Sequence, residues 1–335
     1  MSCTPPGSAD QRLGQALQAA VPWITAQRWY GDKARELVGL HPESVTTVGL
    51  DGATIALVIA RFAYASGPDA RYFIPIMLDE AGRETDDGLR DALREPAFLA
   101  WLLAGFPQRR RLGEGATWTW RALEGTAPFD AVAAERARVL SAEQSNTNVV
   151  FDDRLVCKVF RRLQAGINPD LEIGAFLTRH GGFRNVPALF GLVDVERDGE
   201  VTAIAAIQEF VANRGDGWAW MLQALDGLTP DAFRPTLDAV ALLGRRTGEL
   251  HGALASEPDA AAFAPEPFTG EDARALNDRI IAEMQESVEG LARRLPPPEL
   301  EALHKGIGRR MSGAPSLIGT VKIRVHGDYH PGQTL

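Results

Sequence analysis

Residues 326–333, His-Gly-Asp-Tyr-His-Pro-Gly-Gln, form the motif around which the rest of the chain can be interpreted. Asp328 stands five residues before Gln333. This spacing suits a loop in which the carboxylate accepts a proton from an attacking hydroxyl while the amide oxygen holds a divalent cation. The two glycines permit backbone angles denied to other residues, and the apolar residues 321–325 predict a short buried strand that would fix the loop. The motif favours kinase-type chemistry, and the alternative is an ordinary polar turn.

A lysine interrupts an apolar stretch farther upstream. Residues 155–160, Leu-Val-Cys-Lys-Val-Phe, predict a strand with Lys158 as its charged member. Because a buried ammonium without a partner is costly, Lys158 should either reach solvent or pair with a carboxylate. Glu172 follows in a predicted helix that Asn168 caps and that has Pro169 at its first position. Since kinase-type folds hold phosphates with such a lysine–glutamate pair, we predict that Lys158 and Glu172 are paired rather than independent surface charges.

A polar turn precedes this strand. Residues 141–148, Ser-Ala-Glu-Gln-Ser-Asn-Thr-Asn, lie between two stretches that predict strands. Small hydroxyl and amide side chains, with free backbone N–H groups, can approach phosphates closely at such a turn. We therefore predict nucleotide contacts from Ser145, Asn146 and Thr147. The alternative is a turn that binds nothing.

A linker follows the predicted strands 185–190 and 202–208. Residues 208–211, Gln-Glu-Phe-Val, end this region, and mainly helical patterns follow them. In an ATP-binding cleft, backbone groups of such a linker would meet the adenine edge. We therefore predict that Glu209 and Val211 contact the nucleotide.

The N-terminal third predicts antiparallel strands at 44–51, 53–64 and 71–78, separated by turn-forming residues. Residues 27–35, Gln-Arg-Trp-Tyr-Gly-Asp-Lys-Ala-Arg, are dense in aromatic and basic side chains. They form either a functional loop or, as we favour, an aromatic plug of Trp29 and Tyr30 with solvated basic residues.

The composition limits the class of protein. The chain has 335 residues, 45% apolar and 24% charged, which predicts a globular protein of two or three packed units. Its net charge of −9 argues against nucleic acid or an anionic membrane as a partner, so ATP would need local cations. Two cysteines predict no disulfide framework, and no stretch is typical of a secretory signal or a membrane span. We therefore expect a cytoplasmic protein.

Several segments together resemble the maltokinases, enzymes of actinobacteria and proteobacteria that are often fused to, or encoded next to, trehalose synthase. The segments are 143–148 (Glu-Gln-Ser-Asn-Thr-Asn), 158–163 (Lys-Val-Phe-Arg-Arg-Leu), 166–174 (Gly-Ile-Asn-Pro-Asp-Leu-Glu-Ile-Gly), 325–330 (Val-His-Gly-Asp-Tyr-His) and 27–33. The resemblance implies an α+β, bilobal protein-kinase-like (aminoglycoside phosphotransferase-like) fold with an N-terminal mixed α/β cap domain. The expected domains are the cap (1–125), an ATP-binding lobe (126–212) and a mainly helical lobe (213–335).

The resemblance also implies an activity, with ATP and Mg²⁺ as cofactors. The γ-phosphoryl group of ATP would pass to the anomeric hydroxyl of maltose, giving maltose 1-phosphate and ADP for α-glucan and glycogen synthesis from trehalose. Trehalose synthase would be a partner or a fused domain. The implied roles are catalytic base for Asp328, phosphate-binding lysine for Lys158, ion-pair partner for Glu172, magnesium ligand for Gln333, and sugar contacts for His326 and Tyr329.

The sequence departs from the family pattern after this motif. The family continues into a strand with an Asp-Phe-Glu motif, whose aspartate is the principal magnesium ligand, and then into helices with sugar-binding aromatic residues. This sequence ends at Leu335, so we expect a C-terminally truncated chain with an unpaired strand and an exposed core. Two alternatives stay open: a related sugar or aminosugar kinase, such as a glucosamine kinase, and a non-catalytic pseudokinase-like module.

Overall fold

The structure is a computed structural model. It describes residues 14, 17–50, 52–78, 90–123, 129, 132–140, 146–180, 182–291, 295–312, 317–327 and 329–335. The chain divides into two compact units, Met1–Met221 with Pro331–Leu335, and Leu222–His330. The predicted cap and the predicted ATP-binding lobe both lie in the first unit.

Two antiparallel sheets form the first unit. The cap sheet contains β1 (Leu37–Leu50), β2 (Ala53–Tyr64), β3 (Ala70–Leu78), β4 (Arg90–Asp91) and β10 (Arg162–Leu163). The seven-stranded sheet contains β5 (Arg111–Leu112), β6 (Ala116–Ala122), β7 (Ala137–Leu140), β8 (Asn146–Phe151), β9 (Leu155–Phe160), β11 (Leu189–Arg197) and β12 (Glu200–Glu209). The strand orders are β1-β2-β3-β10, with β4 beside β3, and β5-β6-β11-β12-β9-β8-β7.

The central strand β2 shows why the cap sheet is apolar on both faces. Ile55, Leu57 and Ile59 belong to the core that the cap sheet shares with the seven-stranded sheet. The alternating residues Ala56 and Val58 belong to a second core on the other face, against the N-terminal helix. Both faces are therefore covered, and β2 is a nearly continuous apolar stretch rather than an alternating one.

The two sheets exchange strands along the sequence. Strands β5 and β6, which precede residue 125, pair within the seven-stranded sheet. In the other direction, β10 pairs with β3 of the cap sheet directly after β9 has paired within the seven-stranded sheet. A single residue, Arg161, separates β9 from β10.

The aromatic segment 27–35 has the structural role that we favoured. Trp29 and Tyr30 are buried, and both rings contact Tyr72 of β3. Asp32 is buried as well, and it accepts a 2.6 Å hydrogen bond from the Tyr72 hydroxyl. Burial alone would raise the pKa of the Asp32 carboxyl, but hydrogen bonds, chiefly from Tyr72 and Arg35, together with the charge of Arg162 outweigh burial and lower that pKa. Arg35 is not solvated as expected, since its guanidinium lies 3.8 Å from the centre of the Tyr64 ring.

Seven α-helices lie wholly within the described residues. They are α1 (Val21–Ala26), α2 (Pro96–Ala104), α3 (Pro169–His180), α4 (Gly217–Asp226), α5 (Pro230–Leu254), α6 (Gly270–Leu291) and α7 (Pro297–Ser312). Asn168 caps α3 as predicted, because its Oδ1 accepts hydrogen bonds from the backbone N–H groups of Asp170 and Leu171. Among the described residues, no helix is both long enough and apolar enough to cross a membrane.

Two strand predictions fail in part. The strand predicted at 185–190 begins only at Leu189, as β11, and the strand predicted at 321–325 lies in the second unit. Only Val321–Lys322 forms a strand, β14, which pairs with β13 (Glu266–Pro267). Val321, Ile323 and Val325 are 60%, 36% and 45% exposed, so the prediction of a buried strand over 321–325 is wrong. Only two residues of β14 have a partner strand, so the backbone of residues 323–325 is not bonded in a sheet. The apolar composition of residues 321–325 does not reveal how many of them find a partner strand.

Candidate functional site

Lys158 lies in the interior of the seven-stranded sheet and not at an edge. Its neighbours across the sheet are Asn148 in β8 and Ala206 in β12. Residues that face each other in an antiparallel pair project to the same side, so Asn148 and Lys158 share one face. The Lys158 side chain is 26% exposed, which leaves its ammonium group accessible from that face.

The partner of Lys158 is Asp170, which corrects the predicted pairing with Glu172. Lys158 Nζ donates to Asp170 Oδ2 over 2.8 Å. Positions 170 and 172 are separated by about 200° around the helix, so the two carboxylates leave α3 on different sides. The first turn of α3 brings Asp170 to the lysine, and Glu172 lies half-buried farther along the helix. The Asp170 side chain is 64% exposed, and such a solvated pair contributes about 0–1 kcal/mol.

Two isosteric variants distinguish these carboxylates. We expect Asp170→Asn to raise the Kd for ATP by about two- to fivefold, because Lys158 loses a solvated group that orients it and that contributes no more than about 1 kcal/mol. Glu172→Gln should change that Kd less. Isothermal titration of each variant with MgATP measures the difference. A larger effect of Glu172→Gln would restore the pairing that the sequence predicts.

The part of the predicted polar turn that the structure describes, Asn146 to Asn148, belongs to β8, and its residues alternate between the two faces of the sheet. Ser145 lies outside the described residues. Asn146 is paired with Phe160 and therefore lies on the face of Lys158, whereas Thr147 is paired with Val159 and lies on the opposite face. There the Thr147 hydroxyl accepts a 2.8 Å hydrogen bond from Arg161 Nε.

Asn148 lies on the same face of the sheet as Lys158, and sequence reasoning did not select it. It is buried, and its Oδ1 has no hydrogen-bond partner among the residues that the structure describes. A buried amide oxygen without a partner is uncommon and marks a position where function can outweigh stability. Asn148 is identified by the β8–β9 pairing, which places it opposite Lys158. The sequence pattern does not give the register of that pairing, so it could not select Asn148.

Cys157, next to the lysine, has no chemical role that the structure supports. It is fully buried on the face opposite Lys158, and burial raises the pKa of its thiol to about 12. The thiol is therefore neutral and inaccessible.

The predicted adenine-contacting linker begins at the end of β12. The Glu209 N–H donates to the Ala188 carbonyl over 2.9 Å. Phe210 is held in the same way, because its N–H donates to the Arg154 carbonyl over 2.8 Å. Val211, the next residue, has a partly exposed side chain beyond the sheet. The N–H groups of Glu209 and Phe210 are therefore already bonded, and nucleotide contacts from Glu209 and Val211 stay a prediction.

The second unit holds most of the motif 326–333. The rings of His326 and Tyr329 meet edge to face, with centroids 5.6 Å apart. Gly327 has a φ of +89°, which is the backbone freedom predicted for this motif. Asp328 lies outside the described residues.

Charged side chains anchor the segment that leads into this motif. Lys322 Nζ lies 3.0 Å from Glu266 Oε2 and 2.9 Å from Asp272 Oδ1. The Arg324 guanidinium stands 5.6 Å from the centre of the Phe263 ring. The segment before the motif is therefore held by these side-chain contacts and not by the buried strand that we expected.

Gln333 belongs to the first unit and ends a 3₁₀ turn, Pro331–Gln333. Gly332 lies in this turn and does not have a positive φ, so only the first glycine of the motif uses its special freedom. Gln333 is exposed, and an amide oxygen is a hard donor that Mg²⁺ accepts alongside phosphate oxygens, but its role as a metal ligand stays a prediction. Among the described residues, no cluster of three His, Cys, Asp or Glu side chains could hold a metal ion.

The start of α4 supports the turn that carries Gln333. The Gly217 N–H donates to the Thr334 carbonyl over 2.9 Å. A Cβ atom at residue 217 would overlap Thr334 Oγ1 and lie 2.7 Å from the Pro331 carbonyl oxygen.

We therefore expect Gly217→Ala to displace the turn and to lower kcat about 10- to 100-fold, since small misplacements of binding groups have effects of this size. Steady-state assays across a Mg²⁺ titration measure the loss. Gly244→Ala in α5 is the matched control, because a Cβ there meets nothing within 4 Å and activity should be unchanged. Equal activity of both variants would contradict the supporting role of Gly217.

Two family models match the chain. The model described as the phosphotransferase enzyme family matches residues 136–335, and the one described as the maltokinase N-terminal cap domain matches residues 23–115. A glucosamine kinase of Mycolicibacterium smegmatis is 29% identical over 285 residues, covering 82% of this chain and 64% of the relative. A glucosamine kinase of Streptacidiphilus jiangxiensis is 29% identical over 280 residues, covering 81% and 58%. The chain thus spans less than two thirds of the length of these curated relatives.

Solved structures agree on the fold. A glucosamine kinase in crystal form B superposes with a TM-score of 0.61 at 24% identity, covering 96% of this chain and 68% of that one. A glucosamine kinase in complex with glucosamine, ADP and inorganic phosphate has a TM-score of 0.57 at 24% identity, covering 99% and 70%. The predicted fold class is confirmed: helices and antiparallel sheets in an aminoglycoside phosphotransferase-like fold with an N-terminal cap domain.

Proposed function

Because this chain belongs to the phosphotransferase enzyme family, we propose that it is an ATP-dependent sugar kinase. The observation that carries the proposal is Lys158, a half-buried lysine in the interior of the seven-stranded sheet. Its only ion-pair partner among the described residues is the solvated Asp170. A weak partner of this kind leaves the ammonium group available for the phosphates of a nucleotide.

The residues take these parts in the proposed reaction. The acceptor oxygen attacks the γ-phosphorus, the bond from that phosphorus to the β,γ-bridging oxygen breaks, and ADP leaves. Asp328 orients the acceptor hydroxyl and takes its proton late in the step, since a sugar hydroxyl is too weak an acid to ionise first. Lys158 holds the α- and β-phosphates, and Asn146 and Asn148 flank it on the same face. Gln333 would hold Mg²⁺, which neutralises charge on the phosphoryl oxygens when it is bound.

Our leading acceptor is maltose, phosphorylated at its anomeric hydroxyl to give maltose 1-phosphate. The match of residues 23–115 to the maltokinase cap domain supports this choice. The curated relatives named above support the alternative, glucosamine or a related aminosugar. His326 and Tyr329 are the sugar-contacting residues in either case. A cytoplasmic location, with trehalose synthase as the source of maltose, stays a prediction.

An acceptor panel distinguishes these functions. Release of ADP by the purified chain is measured with MgATP and maltose, glucosamine, glucose or no sugar, and phosphorus–proton couplings in the product give the phosphorylated position. We expect turnover with maltose at its anomeric oxygen. Turnover with glucosamine alone would establish the aminosugar kinase. ATP binding without turnover on any sugar would instead favour a non-catalytic module.

A further inference from the structure

Arg161 is a fully buried charge at the junction of the two sheets of the first unit. It follows the last residue of β9 and precedes β10, so the chain leaves the seven-stranded sheet and enters the cap sheet at this residue. Its exposure is 0%, whereas arginine is almost never fully buried unless it is paired.

The contacts of Arg161 connect the cap to the start of β8. Its Nη2 forms an ion pair with Asp91 of β4, and its guanidinium carbon stands 4.8 Å from the centre of the Trp29 ring. Its backbone carbonyl accepts a 2.8 Å hydrogen bond from the Phe73 N–H in β3. All three partners belong to the predicted cap. Its Nε donates instead to Thr147, the second residue of β8.

Stability does not account for this arginine. Nη1 is buried and has no hydrogen-bond partner among the described residues, so part of the guanidinium is desolvated without compensation. Replacing a buried ion pair with apolar groups of similar volume is often neutral or stabilising. A charged residue at this position therefore needs a role other than stability.

We propose that Arg161 is a positioning residue that fixes the start of β8 against the cap sheet, and that the cap thereby sets the affinity for ATP. Thr147 directly follows Asn146, which shares a face with Lys158, and Arg161 stands three residues after Lys158 in the sequence. One side chain thus fixes both strands that carry the proposed phosphate-binding residues. The inference rests on the proposed function.

Two variants test the ATP half of this proposal. Arg161→Met fills the junction with an apolar side chain, and Asp91→Asn keeps the shape of the cap partner while removing its charge. We expect each to raise the Kd for MgATP about tenfold by titration, with the KM for sugar unchanged. Both variants should also lower thermal stability, because each leaves the other member of a buried ion pair without its partner, so the Kd is measured well below the melting temperature of each variant.

Asp194→Asn is the matched control. Asp194 is another buried aspartate of the first unit, and it pairs with Arg121 Nε over 2.8 Å between β11 and β6. Burial raises the pKa of Asp194, and Arg121 is 54% exposed, so Asp194→Asn should change stability little and leave the Kd for ATP unchanged. Equal Kd changes in Asp91→Asn and Asp194→Asn would overturn the proposal, as would an unchanged Kd in a folded Arg161→Met protein.

Hydrogen–deuterium exchange without nucleotide separates this inference from the proposed function. Arg161→Met should accelerate exchange across Asn146–Phe151, and Asp194→Asn should not. If the parent chain binds no ATP, the proposed function fails and the affinity half of the inference fails with it. Faster exchange in Arg161→Met would still support the positioning of β8, whereas unchanged exchange would overturn that as well.

Discussion

Replacement of Asp328 by Asn is expected to lower kcat about 10²- to 10⁴-fold at saturating ATP and sugar, the range for loss of a general base. The variant keeps the size of the side chain and its ability to accept a hydrogen bond. It removes the charge that orients the acceptor hydroxyl and takes up its proton. ATP affinity should change little, because Asp328 acts on the acceptor.

The measurement is single-turnover ADP formation together with ATP titration of the same preparation. Asp198→Asn is the control, because Asp198 is an exposed turn residue with φ +53°, a conformation that asparagine also tolerates. A kcat within threefold of the parent for Asp328→Asn, about 0.6 kcal/mol by the usual conversion, would remove Asp328 from the reaction.

The second large effect is expected at Lys158. Lys158→Met keeps a flexible apolar stem of similar length and removes the ammonium group. We expect kcat/KM for ATP to fall about 10²- to 10³-fold, a loss typical for a group that stabilises transition-state charge. Lys158→Arg should not restore full activity, because a planar guanidinium cannot take the place of a compact ammonium group among phosphates.

Steady-state kinetics with varied ATP measure this loss, and circular dichroism verifies that the variant is folded. Lys305→Met is the control, since Lys305 lies in an exposed ion pair with Glu301 on α7. The assignment fails if Lys158→Met and Lys305→Met have the same kcat/KM.

The strands of the cap and the helix bearing Asp170 could be predicted because their signals are local. The segments 53–64 and 71–78 are strongly apolar and are bounded by clear turn residues. They therefore predicted β2 and β3 with ends that are correct to within one residue. Asn168 and Pro169 predicted the first residue of α3 correctly, since the helix begins at Pro169.

The sequence did not predict features that depend on register or on long-range pairing. The sequence predicts Glu172 as the partner of Lys158, but Asp170 lies in the first turn of the same helix, and only the approach of α3 to β9 decides between the two carboxylates. The face of Thr147 and the selection of Asn148 depend on the β8–β9 register. Arg161 resembled a basic residue at a strand end, and nothing local indicated that Asp91, 70 residues away, would bury it.

The exchange of strands between the sheets also bears on the order in which the chain is synthesised. When a ribosome has released β1, β2 and β3, the edge of β3 that will hold β10 still has no partner, because Arg162 and Leu163 come much later in the sequence. Unpaired strand edges are where nascent chains associate wrongly. The cap therefore cannot complete its sheet as an independent early product, and its final closure is coupled to the folding of the strand that carries Lys158.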